Sequence, residues 1–319
     1  MKKLFTVIYI FLSLISFGQE SEINDLWKLY NSQDFKSAIE KAIPLLERDP
    51  NNIELNLIIG RSYADQSDYK NAIPHLESTV KYDKKNSWQK AWALGYLGTC
   101  YFMLQEYDNS KKLTKECFDL NATKNVSQYA YKNILLFGFD DFYKDWKIVE
   151  SDNFRFHFQD MSDSDIKDYI STREETFYNI NNFFNSKLPK KIDFFVWKSR
   201  EDAKNLLKTN LGFADPGCCN VHSHYQQTKG HEMAHVISYY STRIINRTGL
   251  INEGTAVCFD QANRNKEQIV RDWVKANDKK ISIGEIWANW KNYPEELTYP
   301  LSGLFVKELI DNFGKEKFI

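Results

Sequence analysis

The chain has 319 residues, 42% hydrophobic and 27% charged, more than one core of about 250–300 residues usually spans. Its 42 Lys and Arg balance 43 Asp and Glu to a net charge of -1. That balance gives no electrostatic reason to expect nucleic acid or an anionic membrane surface as a partner.

The N-terminus, MKKLFTVIYIFLSLISFGQE, sets Lys2 and Lys3 before an uncharged apolar run from Leu4 to Phe17, with small residues at Ser16 and Gly18. This is the pattern of a secretory signal over residues 1–18, with cleavage expected between Gly18 and Gln19. The run is shorter than the roughly 20 residues a spanning helix needs, and no cysteine near the cut could accept a lipid. The expectation is a secreted or periplasmic product with no stable membrane insertion. Export permits disulfides, yet the five cysteines (Cys100, Cys117, Cys218, Cys219 and Cys258) are odd in number and sparse. Cys100 and Cys117 could meet across a helical hairpin, and buried thiols are the commoner alternative.

Residues 22–145 repeat themselves. DFKSAIEKAIPLLERDPNN at Asp34 is echoed by DYKNAIPHLESTVKYDKKN at Asp68 and more faintly by EYDNSKKLTKECFDLNATKN at Glu106. Phe35, Tyr69 and Tyr107 recur 34 and 38 residues apart. Ala38, Ala72 and Ser110 follow each aromatic by three, and Gly60 and Gly98 precede the second and third by nine. Small positions let paired helices approach while aromatics fill the gaps between them. The segment resembles the tetratricopeptide repeat family, whose period is 34 residues. The resemblance implies an all-α stack of about three repeats, capped by Gln128 to Tyr143, with a concave face for a peptide or protein partner. The alternative role is to shape or dock the second half.

From Trp146 the pattern changes. WKIVESDNFRFHFQ alternates apolar residues at Phe154, Phe156 and Phe158, as a half-buried strand does. A long helix over Ser162–Lys187, a strand from Lys190, a short helix over Ser199–Lys208 and a strand over Cys218–Ser223 follow, with LGFADPG read as turn. Strands alternating with helices and then helices alone predict an α+β domain over residues 146–319.

The helix containing TKGHEMAHVISYY carries the chemistry. His231 and His235 are four apart and share one helical face, so both can reach a single ion. Met233, Val236, Ile237 and Tyr240 form an apolar stripe roughly opposite. Ser223 with Gln226 reads as a capping box at the helix start. A random chain of this length shows His-Glu-x-x-His about once in a hundred, so a third ligand decides the matter. Glu253, in GLINEGTAVCFD, lies eighteen residues after His235 in an otherwise apolar helical stretch, where an unpaired carboxylate is costly. Gly254 and Ala256 beside it are small enough for close helix packing.

These two segments resemble the gluzincin clan of zinc metallopeptidases, and NEGTA resembles the Asn-Glu-Gly-x-Ala segment of aminopeptidase N-type enzymes. The order of elements from Trp146 onward is similar to the peptidase MA-like domains of exported bacterial proteins, often found beside tetratricopeptide repeats. The resemblance implies a zincin-like fold and one Zn2+ held by His231, His235 and Glu253. It also implies Glu232 as general base in hydrolysis of a peptide or protein substrate, and a tyrosine or histidine for the oxyanion. Tyr299, just before Pro300 in the expected first turn of a helix ended by Gly314, is the candidate for that last role. His222 and His224 read as an edge strand lining the substrate, or as a second metal site; Asp260 reads as an outer partner of a ligand histidine. The competing expectation is a catalytically inactive peptidase-like domain on a repeat scaffold that binds a peptide or protein.

Overall fold

The structure, a computed structural model, describes residues 21–209, 212–241 and 248–319, so the expected signal segment lies outside the described residues. The chain divides into two units, Met1–Phe139 and Asp140–Ile319.

The first unit is a helical-repeat-like run. Helices α1 (residues 21–31), α2 (Phe35–Arg48), α3 (Ile53–Asp65), α4 (Tyr69–Tyr82), α5 (Trp88–Met103), α6 (Tyr107–Leu120) and α7 (Lys124–Leu136) are joined by short turns. From α2 each helix packs on the next, and α5 also touches α3 and α7, as in stacked hairpins. The acid before the first two aromatics is a helix cap: Asp34 accepts from the Ser37 N–H and Asp68 from that of Asn71, while Glu106 before Tyr107 makes no side-chain cap bond. At the ends of α1, α3, α5 and α7 the chain makes one and the same turn. Gln33, Ser67, Gln105 and Gly138 take φ of 64°, 64°, 65° and 73°. The next N–H then bonds five residues back: Asp34 to Leu29, Asp68 to Tyr63, Glu106 to Tyr101, Phe139 to Ile134.

The small positions Ala38, Ala72 and Ser110 are fully buried, and a Cβ added at Gly60 or Gly98 would fall within 3 Å of Leu76 or Thr114. Arg61 of α3 lies among four rings, 4.6 Å from Tyr30, 4.8 Å from Trp92 and Tyr96, and 5.6 Å from Trp27. Cys100 and Cys117 form no disulfide; both are buried, and the Cys117 thiol donates to the Ala91 carbonyl. Helix α7 starts at Lys124, capped by Thr123, rather than at Gln128. Tyr143, expected to close the stack, instead belongs to the second unit, where its ring meets Trp146, Phe195 and Trp197. That cluster moves the division ahead of Trp146.

The second unit is built on a small mixed sheet ordered β1-β2-β3-β5-β4. Strands β1 (Lys147–Glu150) and β2 (Phe154–Phe158) form an antiparallel pair, so the expected single strand is two. β3 (Ile192–Trp197) and β5 (Asn220–His224) run parallel to β2, with α8 (Asp163–Phe184) and α9 (Arg200–Leu207) in the crossovers. Ser162 and Ser199 cap those helices. β4 (Phe213–Asp215) closes the far edge antiparallel to β5. On one face, Phe154 and Phe156 pack on Phe177 and Tyr169 of α8. On the other, His157, Phe195, His222 and Phe213 stack in register across four strands, with centroids 4.0, 4.4 and 5.1 Å apart.

Buried Asp193 anchors this face. It accepts from Arg155 and His157 at 3.0 Å and from Lys190, whose side chain is also fully buried. Burial opposes its charge, but Lys190 and His157 hold the carboxyl well below its ordinary range. Its stabilising contribution is therefore complete above the unfolded value near 4 and is lost as the pH falls from there through the lowered native value.

The chain continues through α10 (His231–Ser241), α11 (Gly249–Cys258), α12 (Lys266–Asn277), α13 (Ile283–Ala288), α14 (Glu295–Phe313) and α15 (Lys315–Phe318). Met233, Val236 and Ile237 are fully buried, as the stripe on α10 requires. Gly314 ends α14, but the helix starts at Glu295, after Pro294, whose carbonyl accepts from the Leu297 and Thr298 N–H groups, so Pro300 lies inside it rather than in its first turn.

Asp193→Asn is expected to cost about 3–5 kcal/mol at pH 7, because Lys190 is left buried without its counter-charge. Urea unfolding followed by hydrogen exchange at the β3 amides checks this. The loss should shrink as the pH is lowered below about 4.

Candidate metal centre

Helix α10 starts late, and its start is tied to the end of α11. The Gly230 N–H donates to the Asp260 carbonyl at 3.2 Å, and a Cβ at Gly230 would stand 2.2 Å from the Phe259 carbonyl oxygen. Only glycine allows this backbone contact. It brings α11 back beside His231 and His235. Helix α11 is in turn pressed against α14: a Cβ at Gly254 would meet the Ser302 carbonyl oxygen at 2.6 Å, and one at Gly303 would meet Val257 at 2.5 Å. The expected packing role of Gly254 is thus met, and Tyr299 of α14 is carried to the same place.

The structure brings together all five expected site residues. One oxygen of Glu253 lies 3.4 Å from Nε2 of His231 and 3.6 Å from Nε2 of His235. Both distances exceed the 2.9–3.0 Å typical of a hydrogen bond. They are close to the edge of a tetrahedron whose centre-to-corner bonds are about 2.0–2.1 Å, which is about 3.4 Å. Two imidazoles and a carboxylate are the donor types of a catalytic zinc site, and these two spacings match two edges of such a tetrahedron. The Glu232 carboxylate lies with both imidazoles in a group whose nearest donor atoms are all within 4.8 Å, and only 8% of the residue is exposed. The Tyr299 ring lies parallel over His231, with centroids 5.9 Å apart and planes 14° apart.

The electrostatics follow from burial among acids. Burial would lower the His231 pKa, but Glu253 and Glu232 outweigh it and raise the value. Glu232 is shifted up, chiefly by burial, against the pull of the two histidines. Glu253 goes the other way: burial opposes its charge, yet both imidazoles hold it well below the carboxylate range. Burial and the neighbouring Glu253 and Glu295 raise Tyr299, so its hydroxyl stays protonated.

Several expectations around the centre are corrected. His222 is not at an edge: from Asn220 to His222 β5 is paired on both sides, the His222 ring is stacked between Phe195 and Phe213, and its Nδ1 accepts from Trp197. His224 lies past the end of β4, where the ladder pairs β5 with β3 alone. The His224 ring is hydrogen-bonded separately to the Lys198 carbonyl, so the two rings do not join in a second metal site. Beside His222 the edge belongs to β4, in the segment LGFADPG expected to be turn. Ser223 and Gln226 form no capping box, because Ser223 lies in β5 and α10 begins at His231. Gln227 instead closes the intervening turn by accepting from the His224 N–H. The Asp260 carboxylate is taken up by the Ala262 N–H and Lys266; it acts on His231 by charge, and its backbone carbonyl anchors Gly230. Gly230 carries no signal of its own in the sequence, because its need for a missing Cβ arises from the non-local contact with Phe259.

Gly230→Ala is expected to lower unfolding stability by about 1–3 kcal/mol, read as a lower urea midpoint. Gly284→Ala is the control. Nothing lies within 4 Å of its new methyl, and the helix should gain up to about 1 kcal/mol.

No protein-family model matches the chain, and a search of curated proteins finds no match.

Proposed function

We propose that the second unit is a zinc-dependent peptidase of zincin-like fold, following tetratricopeptide-type repeats in an exported protein. The observation that supports this most is the single Glu253 oxygen spaced 3.4 and 3.6 Å from the two histidine nitrogens. His231, His235 and Glu253 would hold one Zn2+. When bound, it would polarise a substrate carbonyl and lower the pKa of a water in its open position towards 7.

The chain's own residues supply the rest. Glu232 is buried beside the imidazoles with a raised pKa, which suits a base that takes the water proton and returns it to the leaving amine. Tyr299, protonated and stacked on His231, donates its hydroxyl to the developing oxyanion. β4 stands at the edge of the sheet, where an extended peptide would add as a further strand. The repeats would present a concave face to a protein partner.

Protein purified without chelators is expected to carry about one equivalent of zinc, and Glu253→Ala or His235→Ala less than about a tenth. Less than about a tenth in the wild type would overturn the reading. Glu232→Gln should keep its zinc and lose about 10²–10⁴-fold in peptide cleavage, and Tyr299→Phe should lose about 10²-fold in kcat with KM unchanged. Zinc retained in the wild type without cleavage of any peptide in an unbiased mixture would favour the inactive scaffold.

A further inference from the structure

A cavity of about 420 Å³ opens beside the candidate metal centre, and His231, Glu232 and Tyr299 line it. Its two outer acids already have neighbours. Asp260 is held by Lys266 and the Ala262 N–H, and Glu295 sits in the first turn of α14, where the helix dipole favours an anion. Two cations remain, Arg200 and Arg264, both lining the cavity, and among the described residues neither forms an ion pair. Arg200 is the first residue of α9, and Arg264 directly precedes Asn265, the cap of α12. A cation at a helix N-terminus opposes the macrodipole, so helix stability does not explain either arginine. A guanidinium offers a planar fork of donors that matches a carboxylate.

We propose that this cavity binds a carboxylate of the substrate, held by Arg200 and Arg264 beside the bond that is cut. The inference rests on the peptidase reading of the site and adds its substrate class: peptides with an acidic side chain, or a free C-terminal carboxylate, next to the cleaved bond.

The test uses the full-length Glu232→Gln protein and four fluorescein-labelled peptides. They differ in Glu against Gln at one position and in a free against an amidated C-terminus. Fluorescence anisotropy should show the carboxylate-bearing peptides binding about tenfold more tightly than the amidated Gln peptide, with the preference gone in an added Arg200→Ala/Arg264→Ala pair. A preference that survives amidation assigns the side-chain carboxylate, and one lost on amidation assigns the C-terminal group. Arg200→Glu/Arg264→Glu should turn the preference toward a Lys peptide, which mere loss of structure would not do. Equal binding of all four peptides, binding of none, or a preference that persists without both arginines would overturn the proposal. The two readings fail separately. Carboxylate preference with no cleavage by the wild type would sink the peptidase and leave this site standing. Cleavage at equal kcat/KM for all four peptides would sink this site and leave the peptidase.

Discussion

Two imidazoles on one helix and a carboxylate on the next can share so small a volume only if those helices meet at backbone distance. That contact is what the second unit depends on. Gly230 lets the start of α10 touch the end of α11, and Gly254 and Gly303 do the same between α11 and α14. Each contact is made against a carbonyl oxygen or a β-branched side chain, which have little freedom to move aside. The sheet beneath is fixed in the same spirit: Asp193 is satisfied from three sides, and four rings lie in register across the strands. A site of this kind is set by its scaffold rather than by its own side chains.

Much of this was legible in the sequence because it is local. The spacing of His231 and His235 defines one helical face without reference to any other part of the chain. Ser162 and Ser199 mark helix starts, and the acid before Phe35 and Tyr69 marks two more. Glu253 could be singled out because a lone carboxylate in an apolar helix needs a partner. What was not legible depends on distant pairing. Phe213–Asp215 is too short to show alternation, and only its register with β5 makes it a strand. His222 looked like an edge residue for the same reason. Pro300 looked like a helix start because proline is favoured there, yet the tertiary packing of α14 overrides that preference. Tyr143 follows directly on the repeats along the chain, and only its ring contacts with Trp146, Phe195 and Trp197 tie it to the second unit.

The first unit solves a different problem. Arg61 is largely withdrawn from solvent, and the faces of four aromatic rings, with Asp65 nearby, compensate its charge. Those rings come from α1 and α5, so one guanidinium ties together helices of three successive hairpins. Cation–π contacts of this sort tolerate small rotations of the rings better than an ion pair would tolerate displacement of its carboxylate.

The recurring left-handed turn bears on how such an array can change over generations. Its geometry is written in one backbone hydrogen bond five residues long, and three of its four instances manage without glycine. A hairpin copied or deleted between two of these points meets the same exit angle on both sides, whatever residue stands there. Array length is thus freed from sequence identity at the joints, and lineages can lengthen or shorten the repeat while its helices keep their own side-chain choices.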